Sequence, residues 1–316
     1  MLVNYYHLCY DNNNLKRNQV LKASSIRFKD EAFLVRGMCM AKTMGVLGPA
    51  GTHSEAAAVY LKKYCQEDYR LVLFADIFDC LQAVENGEVD SALVPVENSL
   101  EGAINISLDT LARSDGLHVW RELIWPVHNQ LLAKRKGEIK RIYSHAQPIS
   151  QCRAFLQEHY PQAELIKVSS TARAAEIVAD SEDDHCAAIA TARAGELLGL
   201  IPIAKEIQDS AANCTRFFQV GREAQAFLPK EKLLVICQID GQQAGALFDV
   251  LKEFAQRGIN MTRIESRPAR TELGAYIFFF DLEYVDSPQL DESLAAVAEK
   301  SIWLRNLGTY PVIQVK

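Results

Sequence analysis

Thr43-Met44-Gly45-Val46-Leu47-Gly48-Pro49-Ala50-Gly51-Thr52-His53-Ser54-Glu55 opens the regular part of this 316-residue chain. Residues 43–47 are a short apolar strand, and the glycines and proline that follow end it. Thr52 with Glu55 three residues later is a capping-box pair, in which a hydroxyl and a carboxylate satisfy the free N–H groups of a helix start. The helix continues through 56–64. A strand that turns at once into a helix is the repeating unit of an α/β fold.

The alternation continues outward from there. Residues 71–74 read as a strand, 79–86 as a helix stopped by Gly87, and 91–94 as a strand ending at Pro95. A helix near 106–113, strand material in 117–133 and a strand at 141–144 follow. His145-Ala146-Gln147-Pro148 reads as a turn and 150–159 as a helix broken by Pro161. A strand at 165–168, a helix at 172–179, a strand at 187–189 and a helix at 192–198 complete the pattern. It predicts a mostly parallel α/β sheet, long enough for two lobes with a cleft between them, over residues 44–224. Residues 225–230, with Pro229 among polar neighbours, read as a linker. In 231–316 the order strand, helix, strand, strand, helix, strand is the ferredoxin-like βαββαβ plan. Residues 1–43 show no amphipathic period. Asp11, Asp30 and Glu31 argue against a transit peptide, so a disordered extension or a start placed too far upstream is expected.

Composition narrows the function. A formal charge of -6 and no basic stripe interleaved with aromatics leave nucleic-acid binding without support. No apolar run approaches the length of a membrane span. The eight cysteines form no CxxC pair and no zinc spacing; with no secretory signal, a reducing cytoplasm is expected.

Asp209-Ser210-Ala211-Ala212-Asn213-Cys214-Thr215-Arg216-Phe217-Phe218 ends a loop and begins an apolar strand, setting a hydroxyl beside a guanidinium. Neighbours on an extended chain point to opposite faces. Thr215 and Arg216 therefore reach one ligand only if the strand starts at a bend or a cleft edge. The plain alternative is a strand-entry threonine and a surface arginine. Gly48-x-x-Gly51-Thr52 offers backbone N–H groups at a helix start, suited to a carboxylate, or is an ordinary capped turn. Glu97-Asn98-Ser99 follows a strand and is a ligand site or an Asx-turn. Ser144-His145 ends another strand, with Gln151 a short way into the next helix. Their shared placement after strands is more informative than any one of them, because open α/β sheets bind ligands there. No Ser/His/Asp order, G-x-S-x-G elbow or P-loop is present. The expected ligand is a small anion handled by hydroxyls, amides and one arginine, with no metal and no cofactor.

Five segments taken together resemble, in order and spacing, the marker segments of the prephenate dehydratases. They are 48–54, Pro95-Val96-Glu97-Asn98-Ser99, Ser144-His145-x-Gln147-x-x-x-Gln151-Cys152, Ser170-Thr171-Ala172-x-Ala174-Ala175 and Asn213-x-Thr215-Arg216-Phe217. Gly245-Ala246-Leu247 and Glu265-Ser266-Arg267-Pro268 are similar to the two effector-binding segments of that family's ACT domain. The resemblance spans residues 44–316. Two positions depart from it: His53 stands where Phe or Tyr is commoner, and Phe248 where a small aliphatic is usual.

The resemblance implies a two-lobed, periplasmic-binding-protein-like catalytic domain followed by a ferredoxin-like ACT domain. It implies a lyase that takes carbon dioxide and water from prephenate to give phenylpyruvate. Thr215 would donate to the leaving hydroxyl and Arg216 would hold the side-chain carboxylate. Asn98, Ser99, Ser144, His145, Gln151, Thr171 and Asn213 would position the substrate, Gly51 and Thr52 would bind an anion, and Phe217 would pack the wall. L-phenylalanine would bind at Gly245, Ala246, Leu247, Glu265, Ser266, Arg267 and Pro268 as an end-product inhibitor. A homodimer or homotetramer is expected, without a chorismate mutase domain. Arogenate dehydratase, or a two-lobed small-anion or amino-acid sensor without catalysis, are the competing expectations.

Overall fold

The computed structural model describes residues 41–225, 227–271 and 274–315. The expected N-terminal extension lies, up to residue 40, outside the described residues. β1 (Lys42–Leu47) turns into α1 (His53–Cys65), where the Thr52 hydroxyl accepts from the Glu55 N–H at 3.4 Å, as the capping pair predicts. Next come β2 (Tyr69–Phe74), α2 (Ile77–Glu85), β3 (Ser91–Asn98), β4 (Gly102–Ala103), α3 (Asn105–Arg113) and β5 (His118–Pro126). The chain then crosses to a second lobe. This holds β6 (Gln130–Ala133), β7 (Arg141–Ser144), α4 (Ala146–Gln151), α5 (Arg153–His159), β8 (Glu164–Lys167), α6 (Thr171–Asp180), β9 (Cys186–Ala190), α7 (Ala192–Leu198) and β10 (Ile201–Ala204). β11 (Cys214–Gly221) returns to the first lobe, between β3 and β5. The two crossings, 127–129 and 205–213, run side by side: Val127 N–H donates to the Asn213 carbonyl at 2.8 Å and Ile207 N–H to the Asn129 carbonyl at 3.1 Å.

The sheets are mixed rather than mostly parallel. β1 pairs β2 and β3 in parallel, but β11 is antiparallel to both β3 and β5. In the second lobe β7 pairs β8 and β9 in parallel, while β6 and β10 add antiparallel pairings. The cause is the double crossing: a strand re-entering at the cleft end of a sheet must run opposite to those that leave there. The turn expected at 145–148 is the first turn of α4. Proline is tolerated in a first helical turn because its missing N–H has no partner to lose.

The C-terminal domain follows the expected order: β12 (Lys232–Ile239), α8 (Ala246–Ala255), β13 (Met261–Pro268), β14 (Tyr276–Glu283), α9 (Pro288–Glu299) and β15 (Trp303–Tyr310). Its four-stranded sheet has the order β13-β14-β12-β15. Strand alternation gives this sheet two apolar faces. Leu233, Val235, Cys237, Phe280 and Leu282 meet Val250 and Phe254 of α8 and Leu290 and Val297 of α9. Leu234, Ile236, Ile277 and Phe279 share a core with Val94 and Phe218 of the first lobe. The sheet is a middle layer, fused to the first lobe through a common core.

The expected C-terminal domain boundary at 316 changes accordingly. After β15 the chain leaves that domain, and β16 (Val312–Gln314) joins the edge of the first-lobe sheet, parallel to β5. Ile313 is buried there with Met44, Leu61 and Phe217. Ile313→Ala should therefore lower the unfolding free energy by about 2 kcal/mol or more, as for other buried isoleucines. Denaturant titration measures it, and wild-type stability would show that the strand adds nothing to the sheet.

Candidate active site

β11 begins where β3 ends, and the register pairs Thr215 with Asn98. The Asn98 Nδ2 donates to Thr215 Oγ1 at 3.1 Å and to Asn213 Oδ1 at 3.0 Å. Its Oδ1 accepts from the Leu100 and Glu101 N–H groups at 3.0 and 3.2 Å, which sets the amide orientation. Because Thr215 accepts from Asn98, its own proton remains free to be donated. A cleft of about 850 Å³ lies in front of it. Thr215, Asn98 and Phe217 from the first lobe line it, with Thr52 and His53 at the start of α1 and His145, Gln151 and Thr171 from the second lobe. Asn213 lines an adjoining cavity of about 350 Å³ that shares Gln147 and Gln151 with the cleft.

Three expected ligand residues do other work. The Ser144 hydroxyl is buried and donates to the Ile189 carbonyl at 2.8 Å, tying β7 to β9. The Ser99 hydroxyl donates to the Ala212 carbonyl and accepts from the Cys214 N–H, both at 2.9 Å, stitching the 99–101 loop to the start of β11. Neither serine bonds a histidine, so neither is an activated nucleophile in the sense acyl-enzyme chemistry requires. Gly51 has φ +82° and its N–H is already taken by Glu55 at 3.3 Å. A side chain there would meet Ala194 of α7, its Cβ only 3.1 Å from the Ala194 Cβ.

Arg216 does not reach the cleft. Thr215 and Phe217 face it, so the residue between them points to the rear, toward the C-terminal sheet. Its guanidinium grips Asp281 of β14 through two bonds of 2.7 and 2.8 Å and Glu122 of β5 at 2.6 Å. Burial works against charge at both Arg216 and Asp281. The paired hydrogen bonds override it, holding the arginine pKa above its ordinary value and the Asp281 carboxyl below its own. The expectation that Arg216 binds a substrate carboxylate is corrected by its position.

Two cleft residues escaped the sequence reading. Arg173, on the first turn of α6, is the only lysine or arginine lining the cleft among the described residues, and it pairs with Glu176 at 2.9 Å. It fills the unassigned position of the Ser170-Thr171-Ala172 segment, where its type carried no signal. Asn129 sits in the first crossing, fully buried, with neither side-chain atom partnered. A polar pair, His128-Asn129, interrupting apolar strand material was the available hint. The starts of α1 and α6 both open on the cleft, adding the positive ends of two helix dipoles.

The expected effector segments lie on the C-terminal domain. Gly245 is the exposed N-cap of α8 with φ +87°, and 265–268 end β13, the edge strand. No hydrogen bond joins the two segments within the chain among the described residues. Along β13, Arg263, Glu265 and Arg267 are half-buried while Ile264, Ser266 and Pro268 are exposed. Arg267 bonds Asp109 of α3 at 2.9 Å.

Comparison with known proteins gives this arrangement a family. Residues 44–225 match prephenate dehydratase and residues 236–299 match the ACT domain. The chain belongs to the prephenate dehydratase family. A prephenate dehydratase of Lactococcus lactis subsp. cremoris is 39% identical over 272 residues, covering 84% of this chain and 96% of that one. The structure of a prephenate dehydratase from Arthrobacter aurescens in complex with L-Phe superposes with a TM-score of 0.77 at 33% identity, over 85% of this chain and 90% of that one. A structure described as GqqA, a novel type of quorum quenching acylase, superposes with a TM-score of 0.74 at 26% identity, over 86% and 98%.

His53 lines the cleft from the start of α1. The Trp125 indole N–H faces its Nδ1 at 3.4 Å, which places the ring proton on Nε2, a buried atom with no partner. Desolvation, opposed in part by the neighbouring Asn129 amide, which does not reach hydrogen-bond geometry, lowers its pKa from 6.5 to about 4. The unfolded chain thus binds the proton first as pH falls. The stabilisation is complete above pH 6.5 and is lost as pH falls toward 4. His53→Phe should flatten unfolding free energy against pH across that window. Equal slopes in the two proteins, by denaturation at a series of pH values, would show that the imidazole is not held neutral.

Proposed function

We propose that this chain is a prephenate dehydratase regulated by L-phenylalanine. The observation that supports it most is the Asn98 amide on the Thr215 oxygen, at 3.1 Å, inside a two-lobed cleft in a chain of this family. In the reaction the bond between the ring and its carboxylate breaks, its electron pair enters the ring, and the C4 hydroxide leaves with a proton as water. Aromatisation drives the step, so the protein must orient a dianion and help the hydroxide depart. Thr215 donates to that oxygen. Its free acidity is weak, so the contribution is stabilisation of developing charge, strengthened by the Asn98 donor behind it.

Arg173 and the starts of α1 and α6 anchor carboxylates. Arg173 replaces Arg216 in this role because it is the cation that lines the cleft. Gln151, His145 and Thr171 complete the second-lobe wall, and closure of the lobes brings them to the substrate. Asn98, Asn213 and Phe217 keep Thr215 in place.

L-phenylalanine is the effector, taken between Gly245-Ala246-Leu247 and Glu265-Ser266-Arg267-Pro268 of two copies. The exposed edge of β13, with Ile264 43% exposed, and Phe248 at 66% on α8 support a homo-oligomer joined through this domain. No helix among the described residues is long and apolar enough to cross a membrane, and the free cysteines there are consistent with a cytoplasmic enzyme.

Thr215→Ala should lower kcat by about a hundredfold or more with KM little changed, the effect of removing a donor to developing negative charge. Arg173→Ala should instead raise KM by about tenfold with a smaller change in kcat. Both are read by phenylpyruvate absorbance with prephenate as substrate, and with arogenate for comparison. Turnover of arogenate alone, hydrolysis of an acyl amide without phenylpyruvate, or binding without turnover would each replace this reading.

A further inference from the structure

The residues flanking the Thr215–Asn98 pair face away from the cleft into a layer of buried charge. Arg216, in register with Glu97, sits one residue from Thr215, as Glu97 does from Asn98. Behind them stand two residues paired across the C-terminal sheet, Asp281 of β14 and Arg263 of β13. Arg216 holds Asp281 through both carboxylate oxygens at 2.7 and 2.8 Å. Arg263 Nε holds Glu97 at 2.9 Å, and its Nη2 holds Glu265 at 3.1 Å. Glu265 opens the 265–268 segment. A continuous set of ion pairs thus runs from the effector strand to the residues beside both members of the catalytic pair.

We propose that Arg263 and Glu97 are positioning residues for Thr215, and that the Glu265–Arg263–Glu97 chain couples phenylalanine binding to the cleft. The proposal rests on the functional reading above. Arg263 has two carboxylate partners on opposite sides of the domain boundary, and its side chain is only 14% exposed. A ligand that draws Glu265 toward itself removes one of the two. The guanidinium then shifts its weight between Glu97 and Asp281, whose Oδ2 already lies 3.8 Å away. Glu97 pairs with Ala103 on one side and Arg216 on the other, so its displacement is felt at Asn98 and hence at the Thr215 hydroxyl. The pairs are partly withdrawn from water, with Arg263 14% exposed, Glu265 27% and Glu97 32%, so a guanidinium that loses Glu265 is drawn toward the carboxylates that remain.

The test uses the full chain, L-phenylalanine as probe, and two readouts. In the wild-type protein phenylalanine should change amide hydrogen exchange in 95–99 and 214–217 as well as on β13. In Arg263→Met, phenylalanine should still bind by calorimetry, yet the exchange change should stay on the ACT domain. The kcat for prephenate should fall by about tenfold with KM within about twofold, and Arg263→Lys should recover part of that loss. Glu97→Gln, at a side chain 32% exposed, repeats the test should the arginine variant fold poorly. Retention of the wild-type phenylalanine response in either variant overturns the coupling, as does an unaltered exchange pattern at 214–217 in the wild type. A wild-type chain that shows the exchange change but no turnover sinks the dehydratase reading and leaves the coupling standing.

Discussion

Alternation along β11 governs the rest of this molecule. An extended strand sends successive side chains to opposite faces, and β11 lies mid-sheet with something to meet on each. Thr215 and Phe217 turn to the cleft; Arg216 and Phe218 turn to the ACT sheet. A buried guanidinium is tolerable only when paired, and Asp281 with Glu122 supplies the pairing from both domains. β11, whose Thr215 lines the cleft, is therefore held from behind by the ACT domain. A domain that a linker and a fold pattern present as an appendage stands directly behind the strand that lines the cleft.

The same fusion explains the topology at the C-terminus. The ACT sheet shows one apolar face to its own helices and the other to the first lobe. The chain leaves the domain at β15 and contributes β16 to the sheet that holds β5 and β11. The ACT domain is thus tied to the catalytic sheet at both ends. Arg267 and Arg270 add a third tie, both pairing with Asp109 on α3. β13 is committed to the first lobe along its half-buried side.

Within the cleft, the polar groups divide by whether the backbone has already claimed them. Asn98 spends its amide on Thr215, Asn213 and the following turn, and so defines a geometry. Ser144 and Ser99 spend their hydroxyls on carbonyls and hold the scaffold. Asn129, His53 Nε2 and Asn213 Nδ2 remain unpartnered though buried. Buried polar atoms without partners are costly to maintain; of the eight among the described residues, these four border the cleft or its adjoining cavity, where a polar ligand would satisfy them.

The sequence by itself determined most of the elements and their order; β4, β10 and β16, of 2, 4 and 3 residues, carried too little pattern to be read. Turn chemistry at Gly48–Thr52, strand-then-helix alternation and the βαββαβ run are local signals, legible because caps and periodicity act over a few residues. Asn98 and the 144–151 segment were legible as candidates because they follow strands, where open sheets bind, whereas Thr215, at a strand entry, was singled out only by the resemblance of the ordered segments. The direction of a side chain across a domain boundary is not local. That Arg216 faces Asp281 at a separation of 65 residues, that Arg173 is the cation of the cleft, that Ser144 is spent on a carbonyl, and that β16 returns to the first sheet were decided by tertiary structure. Each depends on which face of a strand or helix meets which layer, and that is set only when the layers close.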